Sequence, residues 1–230
     1  MRLAILALAL LLTSHLAAAD SVLVSEILAD PVGRDSGGVY AEIFGPAAFD
    51  LTGYSLVARN GSGGSVTHRV VLDGVTIPAD GFLVVADGAG GVTTVVGADV
   101  IVDDFDLQNG PETLLLMFGD DVIDAVAYGT FGPSHQAFGE GAPIATGPSG
   151  TSVARIFANV DSDDNASDFE VLGTPTPGSG AVRVTIEPPR PEPEPDPDPE
   201  AEASIPEPGT GILLLVGLAA VGGLLRRRQL

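Results

Sequence analysis

Between residue 20 and about residue 180 the apolar residues fall into short runs separated by turn-forming pairs. The runs predict strands at Val22–Leu28, Tyr40–Phe44, Tyr54–Ala58, Thr67–Leu72, Phe82–Ala86, Val100–Val102, Thr113–Phe118, Val122–Ala127 and Ser152–Phe157. Asp-Pro, Gly-Gly, Asn-Gly, Asp-Gly and Gly-Asp pairs lie between them. Such pairs turn the chain because glycine reaches positive φ and Asn and Asp bond their own backbone. Asp120-Asp121, between two apolar runs, predicts a tight hairpin. Phe131 to Gly150 reads as a loop before the last strand. No stretch before residue 206 sustains a helical period. Strands at this spacing predict an all-β fold, a sandwich or a barrel.

The pattern changes at both ends. Gly209 to Leu225 is apolar and free of charge for 17 residues. As a helix it would span roughly 25 Å, close to the thickness of a bilayer core. Arg226, Arg227 and Arg228 follow at once and favour the cytoplasmic side, so the preceding chain is expected outside. At the other end Arg2 precedes an apolar stretch, Leu3 to Leu12, and a small-residue exit that ends Ala17-Ala18-Ala19. Ala17 and Ala19 fit an A-x-A cleavage site, which predicts a signal peptide over residues 1–19, removed by signal peptidase before Asp20.

Pro206-Glu207-Pro208, the apolar run and the arginine cluster stand in a fixed order over residues 206–230. This constellation resembles the PEP-CTERM sorting signal of Gram-negative bacteria. The resemblance implies an exosortase as processing partner and a transmembrane helix over residues 209–225. It also implies inner-membrane anchoring during sorting, then the cell surface or the extracellular matrix of a biofilm.

The chain carries 31 acidic residues against ten basic ones, all of them arginine. Residues 20–205 hold 30 of those acids and six arginines, a charge of −24. That field repels nucleic acid and anionic lipid; it suits solubility or divalent cations. There is no cysteine, so an exported domain here must be held by its core. Residues 181–205 form a Pro/Glu/Asp-rich linker, densest from Glu187 to Glu202. Proline fixes φ and removes amide donors, so this tract favours polyproline II, a spacer of roughly 50 Å.

Several segments, in order, point further. They are Val24-Ser25-Glu26-Ile27-Leu28, Tyr40-Ala41-Glu42-Ile43-Phe44, Asp50-Leu51-Thr52-Gly53-Tyr54 and Ile77-Pro78-Ala79-Asp80-Gly81-Phe82. Leu107-Gln108-Asn109-Gly110, Val122 to Gly129, Asp161 to Asn165 and Thr174-Pro175-Thr176-Pro177-Gly178 complete the set. Together they resemble the lamin-tail domain, which implies an immunoglobulin-like β-sandwich over residues 20–180. Tyr54 stands where that family usually has Trp, and Ser25 where it often has Asn. Bacterial members resemble non-catalytic modules on exported proteins.

Candidate chemistry is sparse. His68 and His135 are far apart in sequence, with no cysteine to complete a zinc site. No nucleophile elbow or phosphate-binding loop occurs, and Gly88-Ala89-Gly90-Gly91 stops short of a dinucleotide fingerprint. Asp161, Asp163, Asn165 and Asp168 place oxygen ligands at spacings that could wrap Ca²⁺, or could simply form a turn. Position six of that loop is Ala166 and position twelve Leu172, so it departs from an EF-hand. Glu26 and Glu42 would pair only if their strands align; otherwise both sit on exposed strand faces. The expectation is a non-enzymatic surface protein with no catalytic residues and a structural or adhesive role. Binding of extracellular polysaccharide or another protein is the alternative, and a secreted hydrolase a third.

Overall fold

A computed structural model describes residues 22–179. The expected signal peptide with Ala17 and Ala19, the expected linker from residue 181, the motif Pro206-Glu207-Pro208, the apolar run 209–225 and Arg226 to Arg228 lie outside the described residues. Among the described residues no helix is long and apolar enough to cross a membrane.

Among the described residues ten strands form two sheets. They are β1 (Leu23–Leu28), β2 (Tyr40–Phe44), β3 (Tyr54–Asn60), β4 (Val66–Val71), β5 (Phe82–Gly88), β6 (Val100–Asp103), β7 (Glu112–Phe118), β8 (Asp121–Tyr128), β9 (Ser152–Arg155) and β10 (Phe169–Leu172). One sheet runs β10-β9-β1-β2-β5-β6, the other β4-β3-β7-β8. Every pairing is antiparallel except β5 with β6. The sole helix among the described residues, α1 (Asn165–Asp168), is a single turn. The described residues therefore form an all-β sandwich.

Alternation along the strands builds the core. Ala41 and Ile43 of β2 and Leu83 and Val85 of β5 meet Leu56 and Ala58 of β3, Leu114 and Leu116 of β7 and Val126 of β8. Leu51, Leu72, Ile77, Phe105 and Leu107 seal the rim from the connections. Each such side chain, taken fully out of water, contributes about 1.5–3 kcal/mol. Tyr54 packs edge-on to Phe49 and lies 5.0 Å from Phe118, so the phenol fills a ring-lined pocket.

Residues of β1 and β5 are buried on both faces. The second cover comes from connections: Val95 and Ala98 pack on Leu28, Tyr40, Val84 and Ala86, outside the sandwich core. The strap that follows β10 lies on this same outer face. Its Thr176 bonds Glu26 and its Gly178 bonds Glu42.

All nine expected strands are present, with no end displaced by more than two residues. The β7–β8 turn falls at Gly119-Asp120, one residue before the expected pair, where Gly119 supplies φ +60°. The expected strand Ser152–Phe157 ends at Arg155, and β10 pairs with it in a register no apolar run announced.

Candidate functional site

Buried polar groups concentrate in three clusters, each built on strands that the core fixes. The first begins at a register shift in β1 between Val24 and Glu26. A bulge spends an extra residue and re-aims side chains. Here it brings both Ser25 and Glu26 to the outer face, beside Tyr40 and Glu42 of β2. Glu26 and Glu42 are direct cross-strand partners, so the two strands do align and the carboxylates do pair. Both residues are fully buried.

Glu26 accepts hydrogen bonds from the Tyr40 hydroxyl (2.6 Å), the Ser152 hydroxyl (2.5 Å), the Thr176 amide (2.9 Å) and the Thr176 hydroxyl (2.8 Å). Glu42 accepts from the Ser25 hydroxyl and the Gly178 amide, both at 2.7 Å. Burial pushes the Glu42 carboxyl up to about 7, with the Glu26 charge adding to the rise and the two donors opposing it. Burial and the same Glu26 charge push the Tyr40 phenol well above its ordinary value.

The second cluster surrounds Arg155, which is 1% exposed. Its Nη2 donates to both oxygens of Asp124 at 3.0 Å, a bidentate pair between β9 of one sheet and β8 of the other. Nη1 reaches Asp168 at 3.2 Å, Asp161 at 3.4 Å and the Val160 carbonyl at 2.8 Å; Nε donates to the Val24 carbonyl. The guanidinium carbon lies 4.6 Å from the centre of the Phe169 ring. Asp124 also accepts from the Val24 amide at 2.6 Å. Burial pushes the Asp124 carboxyl up, and Arg155 opposes that shift. Glu140 stands nearby with one buried oxygen that no donor meets. Burial, then the charges of Asp124 and Asp161, push its carboxyl up to about 8.

The four oxygen-bearing residues considered for Ca²⁺ part company here. Asp161 and Asp168 turn to Arg155, and Asp168 also accepts from the Ser162 amide and hydroxyl. Asn165 is buried and serves β8: its Oδ1 accepts from the Ala127 and Glu140 amides and its Nδ2 donates to the Ala125 carbonyl. Asp163 is exposed at φ +57°, within the turn. Among the described residues, the group whose oxygens could hold a metal is instead Asp124, Glu140 and Asp161, with oxygens within 4.8 Å of one another. Arg155 already places a positive charge beside two of these three.

The third cluster is smaller. Buried Glu112 accepts from the Tyr128 and Thr67 hydroxyls and the Gln108 amide, each at 2.8 Å. His68 meets Phe105 edge-on, and its Nδ1 has no hydrogen-bond partner. His135 closes its own turn by accepting from the Gly132 amide. A cavity of about 30 Å³ between Ile27, Tyr128 and Val153 has room for roughly one water molecule.

The sequence favours exposed strand faces for Glu26 and Glu42, which their complete burial and cross-strand pairing correct, and it does not single out Arg155. The one trace of the latter is an arginine inside an apolar run, Val153-Ala154-Arg155-Ile156-Phe157, six residues before the acid-rich segment that opens at Asp161. A guanidinium at a core position needs carboxylates within reach.

Residues 204–229 match the PEP-CTERM protein-sorting motif. No curated protein and no solved structure matches the chain. The C-terminal segment is thus a signal of the kind an exosortase recognises, and it marks the chain as exported, membrane-sorted cargo of a Gram-negative bacterium.

Proposed function

We propose that the chain is a non-enzymatic surface module, with a lamin-tail type sandwich held off the membrane by its acidic linker and placed by an exosortase. It acts in a structural or adhesive role in the extracellular matrix. The observation that carries this reading is the sorting motif at residues 204–229. The Ig-like assignment draws support from the two-sheet architecture and from the places that its motif residues take. Glu26, Glu42 and Thr176-Pro177-Gly178 come from three separate family-like segments, and they meet in one hydrogen-bonded cluster. The clusters read as scaffold: their carboxylates point at strand backbones, hydroxyls and one guanidinium.

The test is genetic. In the native host, deletion of the exosortase gene should leave the protein in the inner membrane with residues 209–225 still attached. Release of a correctly trimmed protein without the enzyme would refute the sorting half. A reproducible turnover of ester, phosphate or glycoside by the purified protein would refute the non-enzymatic half.

A further inference from the structure

The Glu26–Glu42 pair is unusual in what surrounds it. Residues directly opposite in an antiparallel pair have Cβ atoms about 4.5–5.5 Å apart, and like charges there repel. Both carboxyls are buried, and among the described residues no arginine or histidine bonds either one. The charged group that faces Glu42 from β1 is Glu26, and the one from the connection before β5 is Asp80. From its own strand comes the Tyr40 hydroxyl, which bonds Glu26, and β9 contributes only the Ser152 hydroxyl.

Three of the six hydrogen bonds on the pair come from the strap: the Thr176 amide, the Thr176 hydroxyl and the Gly178 amide. The strap is shaped for this. Thr176 to Ser179 close a turn by a 3.1 Å bond from the Ser179 amide to the Thr176 carbonyl. Pro177 and Gly178 occupy its middle, with Gly178 at φ +66°. Proline followed by a positive-φ glycine is the pairing a type II turn favours. The turn aims the Gly178 amide at Glu42.

We infer that Thr174–Ser179 is a proton-controlled strap, docked across β1 and β2 while one carboxyl of the Glu26–Glu42 pair is neutral and released from the sheet face when both are ionised. Release admits water to the pair and uncovers the outer face near Val84, whose side chain lies within reach of a Cβ placed at Gly178. It also frees the point from which the chain continues to the linker.

Docking and proton binding are therefore linked. With the strap docked, burial holds the Glu42 carboxyl at about 7 rather than the ordinary 4.5. A carboxyl raised in the docked state makes docking strongest at low pH. That strength is lost as pH rises from 4.5 through about 7. The gap sets a ceiling of about 300-fold on the docking equilibrium, reached where release returns Glu42 fully to water; the Gly178 amide, which favours the ionised form, works against it.

The chain has no cysteine, so Ser179→Cys provides a single thiol at an exposed position whose hydroxyl bonds within the strap. The experiment labels that thiol with a nitroxide on the full chain in detergent. It records mobile and immobile fractions from pH 5 to pH 9, with circular dichroism on the same samples. The expected result is an immobile label at pH 5 and a rising mobile fraction through neutrality, with unchanged dichroism. Glu42→Gln should stay immobile throughout. Should Glu42→Gln not fold, Thr176→Val decides: it should release at lower pH than the parent. A label whose mobility ignores pH, a Glu42→Gln profile that follows the parent, a Thr176→Val profile identical to the parent, or release accompanied by global unfolding each overturns the inference.

Discussion

Replacing Arg155 with methionine tests the bond between the two sheets. Methionine fills much of the same volume with no charge. It leaves the Asp124 carboxylate, 0% exposed, with the Val24 amide at 2.6 Å but no counter-ion. Asp168 and Asp161 lose the same guanidinium. Removing one partner of a buried pair typically costs about 3–5 kcal/mol, because the remaining charge has no water to turn to. For a domain of this size that is a fall in Tm of roughly 6–20 °C. Neutralising both partners removes the uncompensated charge, so Arg155→Met combined with Asp124→Leu should recover more than half of the loss. The assay is urea and thermal unfolding at pH 7, read by circular dichroism, for the parent, both single variants and the double. An interaction energy of about 2 kcal/mol or more between the two sites is expected. A single variant within about 0.5 kcal/mol of the parent, the range of ordinary surface changes, would refute the reasoning. A double variant as unstable as the sum of the singles would refute it too.

Tyr128→Phe removes a 2.8 Å hydrogen bond to buried Glu112 and should cost about 1–3 kcal/mol in urea unfolding. Burial raises the carboxyls of Glu42 (to about 7), Glu112 and Glu140 (to about 8) above their ordinary 4.5. Their stabilising effect is present in full below pH 4.5 and is lost as pH rises through the raised values. The urea midpoint should therefore fall between pH 5 and pH 9; a midpoint that climbs over that window would contradict the burial argument. Because Arg155 already supplies the positive charge among Asp124, Asp161 and Asp168, chelation with EDTA should leave Tm unchanged. A Tm that drops with EDTA and returns with Ca²⁺ would instead give the acidic set a metal. Intact mass of the exported protein should begin at Asp20, and a mass that retains residues 1–19 would remove the signal-peptide assignment.

Much of the sandwich could be read from residue order, because turn chemistry is local. Gly119 and Asp120 join two apolar runs, and the hairpin follows from those residues alone. Strand β10 could not be read the same way. Phe169-Glu170-Val171-Leu172 is four residues long, and its partner β9 lies across the Asp161–Asp168 excursion, so its existence is a tertiary fact. Alternation was blurred in β1 and β5 for a different reason. A loop and the strap cover the outer face, so inward and outward positions are both apolar or both satisfied. The Glu26–Glu42 pair shows how much depends on register: two glutamates sixteen residues apart become neighbours only through the β1 bulge. Arg155 shows the converse, since nothing local says that an arginine on a four-residue strand will meet aspartates from β8 and from α1.

Fractionation of the native host tests the protein's destination most directly. The full chain should appear at the cell surface or in the matrix, and a chain ending at Ile205 should lose that placement while still crossing the inner membrane. Equal surface display of the two forms would contradict the account.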